Sequence, residues 1–135
     1  MRKVPNHKME CKTFGDLLGR TMVRIEGAIM ESDKIIFTME NGDKYMLCHH
    51  QNCCENVAVE DVIGDVRDLI GSPILMAEEV SHVNENPVGV NIPRSQDSFT
   101  WTFYKFATAR GYVTIRWYGE SNGYYSESVD FERLT

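Results

Sequence analysis

Residues 98–131 read SFTWTFYKFATARGYVTIRWYGESNGYYSESVDF, and the parsing of this stretch decides the fold. It holds both tryptophans, five of the six tyrosines and four of the six phenylalanines of a 135-residue chain. Phe99 to Ala107 is dense in aromatic and β-branched side chains, which suit a pleated, half-buried surface. Thr108 to Gly111 breaks that run, and Gly111 tolerates turn conformations that other residues resist. From Tyr112 to Tyr118 the pattern alternates. Val113, Ile115 and Trp117 share one face; Tyr112, Thr114, Arg116 and Tyr118 share the other. Asn122-Gly123 is a strong two-residue hairpin signal, and Tyr124 to Phe131 alternates again. The expectation is a meander of three antiparallel strands joined by two turns.

Upstream, Thr13 to Leu18 suits a single helical turn ended by Gly19. Met22 to Met30 reads as a strand with a bulge at Gly27, Lys34 to Met39 as a second, and Lys44 to His49 as its hairpin partner across Asn41-Gly42. Val57 to Val59 is short and extended. The period then changes. Val59, Val62, Ile63, Val66, Leu69 and Ile70 recur at helical intervals, which predicts a helix over 61–70 with Asp61, Asp65 and Asp68 in solvent. Ile74 to Val83 reads as a strand. Residues 84–98, with two prolines and three asparagines, read as a long surface loop, and residues 1–12 as a loose arm. The fold expected is α+β: one antiparallel sheet of six or seven strands with one main helix on one face, in a single domain spanning 1–135.

A net charge of −6 argues against general nucleic-acid binding through phosphate neutralisation. It leaves room for a local Arg pocket or for docking on a basic protein surface. No apolar run approaches a membrane span, and the basic start MRKVPNHKMECK lacks the apolar core of a signal peptide. A cytoplasmic protein is expected, with its four cysteines reduced and with Cys53 and Cys54 poorly placed to bridge each other.

Chemistry concentrates in two places. The first is the aromatic meander. Arg116, mid-strand among phenol rings, can stack on a base and grip a phosphate, or it can pair across strands with Glu127 or Asp130. Two aromatic faces on one hairpin exceed what one core face requires, so a ligand site is expected at Arg116, Trp101, Tyr112, Tyr118, Asn122 and Tyr124, with the 84–97 loop closing over it. The second is Cys48 to Glu55. His49, His50, Cys53, Cys54 and Glu55 can offer nitrogen, sulfur and oxygen to zinc, though the pairs are compressed against usual zinc spacing. A cysteine nucleophile with a histidine base is also open there, and buried structural cysteines are the plainer reading. The carboxylates Glu60, Asp61, Asp65, Asp68, Glu78 and Glu79 can attract Mg²⁺ or Ca²⁺, but a solvated face explains them as well. No phosphate-binding loop, dinucleotide fingerprint, nucleophile elbow or HExxH motif occurs, so a protein without catalysis and without a required cofactor is expected.

Two blocks, HHQNCCENVAVEDVIGDVRDLIGSPILMAEE at 49–79 and TWTFYKFATARGYVTIRWYGESNGYYSESVDF at 100–131, resemble a family of small proteins carried by tailed phages and prophages. The resemblance implies expression in a bacterial host and supplies no catalytic residues. By analogy it implies an anti-defence role, either as a sponge for a nucleotide second messenger, with a site at an oligomer interface, or as an inhibitor that docks on a host defence protein.

Overall fold

The computed structural model describes residues 11–92 and 96–134. Among them the alternating stretches form strands β1 (Met22–Glu26), β2 (Lys34–Met39), β3 (Lys44–Cys48), β4 (Asn56–Ile63), β5 (Met76–Val83), β6 (Ser98–Thr108), β7 (Gly111–Ser121) and β8 (Asp130–Arg133). They assemble into two four-stranded sheets, ordered β1-β2-β3-β8 and β4-β7-β6-β5, with every pair antiparallel. The N-terminal meander and the β6–β7 hairpin lie where the alternation put them, although β1 stops at Glu26.

The α+β expectation is overturned. The described residues contain no α-helix, only two 3-10 turns at Phe14–Leu17 and Val66–Leu69. Residues expected to form the main helix instead finish β4 and enter the second turn. The misreading has a specific cause. β4 carries a bulge where its register against β7 shifts between Val59 and Asp61. One extra residue changes the inward spacing from two to three. Val57, Val59 and Val62 therefore point inward at intervals of two and then three, and Val66 and Leu69 of the 3-10 turn add another three. A bulged strand followed by a tight turn thus imitates helical periodicity. Gly64 ends the strand at φ 103°, where a Cβ would collide with the Tyr112 carbonyl oxygen. Asp65 then caps the turn, accepting from the Arg67 N–H at 3.0 Å.

The three-strand C-terminal meander is also corrected, as is the single sheet. β7 runs through Gly119 to Ser121, and the chain after it crosses to the other sheet, where β8 pairs with β3. The crossing is fastened by Glu127, which is buried although charged. Its carboxylate accepts from Thr100 Oγ1 at 2.8 Å and from Ser121 Oγ at 2.5 Å. Gly119 makes room: a Cβ there would sit 2.8 Å from the Glu127 carbonyl oxygen and 3.0 Å from Val57 Cγ2.

Between the sheets lies one core. Ile35, Phe37, Tyr45 and Leu47 meet Val59, Tyr104, Phe106, Val113, Ile115 and Trp117, all fully or nearly fully buried. Phe14 plugs one side, with its ring edge-on to Tyr104 and Phe106 at 4.7 and 4.9 Å. Its turn is held by Asp16 Oδ2, which accepts from the Lys12 and Thr13 N–H groups. Phe131 of β8 stacks on Tyr45 at 5.4 Å. The loose arm expected at 1–12 falls outside the described residues up to residue 10; Cys11 is buried. No helix of the described residues is long and apolar enough to cross a membrane.

Candidate functional site

Alternation places Trp117, Tyr104 and Phe106 inside, so their neighbours Trp101, Phe103, Arg116 and Tyr118 face outward from the β4-β7-β6-β5 sheet. That outer face carries a second aromatic cluster. Trp101 packs on Tyr118 at 4.6 Å, Phe99 stacks on Tyr118 at 6.2 Å, and the Arg116 guanidinium lies 5.7 Å from the Trp101 ring centre. Trp101 is nevertheless fully buried. The segment after β5 folds back over it: Trp101 Nε1 donates to Asn86 Oδ1 at 3.0 Å, Asn86 and Gln96 exchange amide hydrogen bonds, and Gln96 Nε2 donates to Tyr118 Oη at 2.8 Å. Burial and the hydrogen bond that Tyr118 gives Glu120 push its phenol up to about 12. The chain's own amides thus take up much of the aromatic surplus.

Arg116 is committed too. Its partners are Glu60 at 2.5 Å and Asp61 at 3.5 Å, both on β4, rather than Glu127 or Asp130. The register explains this: Asp61 is the cross-strand partner of Arg116, and the bulge turns Glu60 to the same side.

Three adjoining hollows follow β4, an edge strand of its sheet. The middle one, about 340 Å³, is lined by Met30, Glu31, Asn56, Ala58, Val59, Glu60, Tyr118 and Glu120. It shares Asn56 and Glu120 with a hollow of about 220 Å³ that includes Asp97, Asn122 and Tyr125. It shares Met30 with a third that includes Ile29, Val62 and Val66. The 27–33 loop is pinned against this edge by Glu31 N–H to Val59 O at 2.7 Å and Val59 N–H to Ser32 O at 2.8 Å. Ile29 and Met30 are left with more than half of their surface in solvent.

The Cys48 to Glu55 segment is built around Glu55, whose side chain is wholly enclosed. Its carboxylate accepts from the Asn52 and Cys53 N–H groups at 2.8 and 2.9 Å and meets His49 Nε2 at 2.7 Å. Desolvation opposes the charge, but these hydrogen bonds prevail and hold the carboxyl at about 2. His49 Nδ1 meets the Ser128 carbonyl at 2.7 Å, so both ring nitrogens face oxygen atoms. Cys53 and Cys54 are joined by a disulfide, which corrects the expectation that adjacent cysteines would not bridge. As sequence neighbours across a trans peptide, their Cα atoms lie 3.7 Å apart. His50 turns away to Glu132 of β8, whose carboxylate raises the imidazole's proton affinity. Cys48, His50 and Glu132 bring one sulfur, one nitrogen and one oxygen within 4.8 Å of one another. Burial, then the Glu132 and Asp130 charges, push the Cys48 thiol up.

A family model described as a domain of unknown function, DUF7448, matches residues 15–131. The chain belongs to that family. No curated protein and no solved structure matches it.

Within the DUF7448 domain the six expected ligand residues are not gathered into one pocket. Trp101, Tyr118 and Arg116 are neighbours, but Trp101 is covered and Arg116 is paired. Tyr118 and Asn122 line different hollows, and Asn122 Oδ1 accepts from the Tyr124 N–H. Tyr112, near the start of β7, and Tyr124, three residues past its end, are both exposed. Of the five expected metal ligands only His50 has a ligand-bearing neighbourhood; His49 and Glu55 satisfy each other, and Cys53 and Cys54 are bonded. Sequence reading missed Met30 and Glu31 beside β4, and Glu132 opposite His50. The first pair sits in a turn with no motif. Glu132 becomes visible only once β8 is known to pair with β3.

Proposed function

We propose that this chain is a phage-encoded binding protein that works without catalysis, docking on a host defence protein through the groove beside β4. The lining of that groove carries the reading. Apolar Met30, Ala58 and Tyr118 stand beside Glu31, Glu60 and Glu120, and among the described residues no Lys or Arg lines the middle hollow. A partner segment that is apolar with a basic rim complements it, and the chain's net charge of −6 steers such a partner inward. Half-exposed Ile29 and Met30 supply the apolar contact that interfaces place at their centre. The phage setting rests on the resemblance of residues 49–79 and 100–131 to small phage proteins.

Sequestration of a nucleotide second messenger gains less support. Phosphates entering beside Tyr118 would meet carboxylates, and Arg116 would have to leave Glu60 to reach them. The two readings part in a thermal-unfolding experiment. A ligand at a hundred times its Kd stabilises by about 2.7 kcal/mol, so a sponge would melt several degrees higher in cyclic mono- or dinucleotides. The docking reading expects no shift. It also expects Met30→Asp and Glu31→Lys to keep the wild-type Tm while losing capture of a defined host partner. A nucleotide-dependent rise in Tm abolished by Arg116→Ala would overturn it.

A further inference from the structure

Away from the β4 groove, the outer face of the other sheet gathers a donor set that neither the docking reading nor the family assignment uses. β3 ends at Cys48, a free and nearly buried thiol. Two residues on, His50 leaves the strand end and directs Nε2 at Glu132 of the adjacent β8. The pairing of β3 with β8 sets Cys48 opposite Asp130 and Met46 opposite Glu132. Cross-strand partners share a face, so Cys48, Asp130 and Glu132 all project from the side of the sheet opposite Tyr45 and Leu47, which point into the core.

We propose that Cys48, His50 and Glu132 form a mononuclear site for a zinc-class divalent cation. The donor set is the first reason. One sulfur, one imidazole nitrogen and one carboxylate oxygen suit a borderline-soft ion of tetrahedral preference and do not suit Mg²⁺ or Ca²⁺, which favour oxygen alone. Spacing is the second. A tetrahedral ion with bonds of about 2.0–2.3 Å holds its ligand atoms roughly 3.5 Å apart, and these three atoms already lie within 4.8 Å. His50 Nε2 and Glu132 are in hydrogen-bond contact and must part to admit an ion; exposed His50 and half-buried Glu132 have room to do so and to close on fixed Cys48. Charge is the third. Glu132 and Asp130 flank the Cys48 thiol with negative charge that a cation would neutralise. Asp130 or water takes the fourth position. On binding, Cys48 Sγ loses its proton to solvent, the proton that His50 Nε2 gives to Glu132 leaves that nitrogen for solvent, and the metal–sulfur and metal–nitrogen bonds form; no oxidant or reductant is needed.

The test is a titration of the full-length protein, kept reduced by a phosphine, with Co²⁺ alone and then with Zn²⁺ in competition. One equivalent of Co²⁺ is expected to give thiolate-to-cobalt absorption in the near ultraviolet and visible bands of tetrahedral intensity, both removed by Zn²⁺. The double variant Cys53→Ser/Cys54→Ser should keep them. Cys48→Ser should lose the charge-transfer band, and His50→Ala, at an exposed position safe for folding, should weaken binding by about tenfold or more. Absence of the thiolate band from wild type would overturn the proposal. So would its loss in the Cys53/Cys54 variant, its survival in Cys48→Ser, or unchanged affinity in His50→Ala.

Discussion

Arg116 shows how a side chain chosen for its chemistry can be claimed by its neighbours. It is largely buried, paired with Glu60 and Asp61 and laid over Trp101. Arg116→Ala would leave two carboxylates side by side without their cation. A charged hydrogen bond contributes about 1.5–3 kcal/mol, so a loss of about 2 kcal/mol is expected, read from the midpoint of urea unfolding. Glu55 sets the acid limit. Its folded-state value of about 2 lies below the ordinary 4.5. A depressed carboxyl stabilises the fold above its unfolded value and loses that contribution as pH falls through its folded value. Stability attributable to Glu55 should therefore be complete above about pH 5 and decline toward pH 2. Asp65 is held low by Arg67 and titrates over the same window, so the informative measurement is a difference. Glu55→Gln should unfold more easily than wild type at pH 7 and show a shallower decline between pH 5 and pH 2. Parallel pH curves for the two proteins would refute the assignment.

Strands and turns divide into those that local pattern determines and those that contacts distant in sequence determine. β2, β3, β6 and β7 were legible because each alternates cleanly, and Asn41-Gly42 marks one turn between them. β4 was not legible beyond Val59, since its bulge converts period two into three and the turn at Val66–Leu69 continues the deception. β8 was hidden for another reason. Residues 124–131 alternate as a strand should, but alternation does not name the partner, and pairing with β3 rather than β7 depends on Glu127 being held by Thr100 and Ser121. The candidate site followed suit: individual residues such as Tyr118, Asn122 and His50 were visible, whereas Met30, Glu31, Asn86 and Glu132 join them only through the fold. Gly119 tests the crossing. A methyl group there must displace backbone at Glu127 and the side chain of Val57, so Gly119→Ala should cost about 1–3 kcal/mol, the usual range for overpacking. Calorimetry should show the Tm falling by several degrees; an unchanged Tm would mean the 125–129 segment does not lie against β7.

The molecule as a whole is two sheets sharing one core, with charge and apolar surface distributed unevenly over its outside. The β5 edge lies at the far side of the sheet from β4 and carries exposed Glu78, Glu79 and His82 beside exposed Leu75 and Val83. The β4 edge combines Ile29, Met30 and Ile63 with Glu31, Glu60 and Glu120. Such a surface should bind an apolar, basic partner more weakly as salt rises, because exposed charges are screened over about 8–10 Å at physiological ionic strength. Site-specific photocross-linking in bacterial cells that express the protein compares the two edges directly. A photoreactive residue at Met30 should yield one discrete protein adduct that fades with added salt in cell extract and disappears when Glu31→Lys is introduced. The same residue at Val83 on β5 should yield none. Equal adducts from both positions, or none from Met30, would contradict docking through the β4 groove.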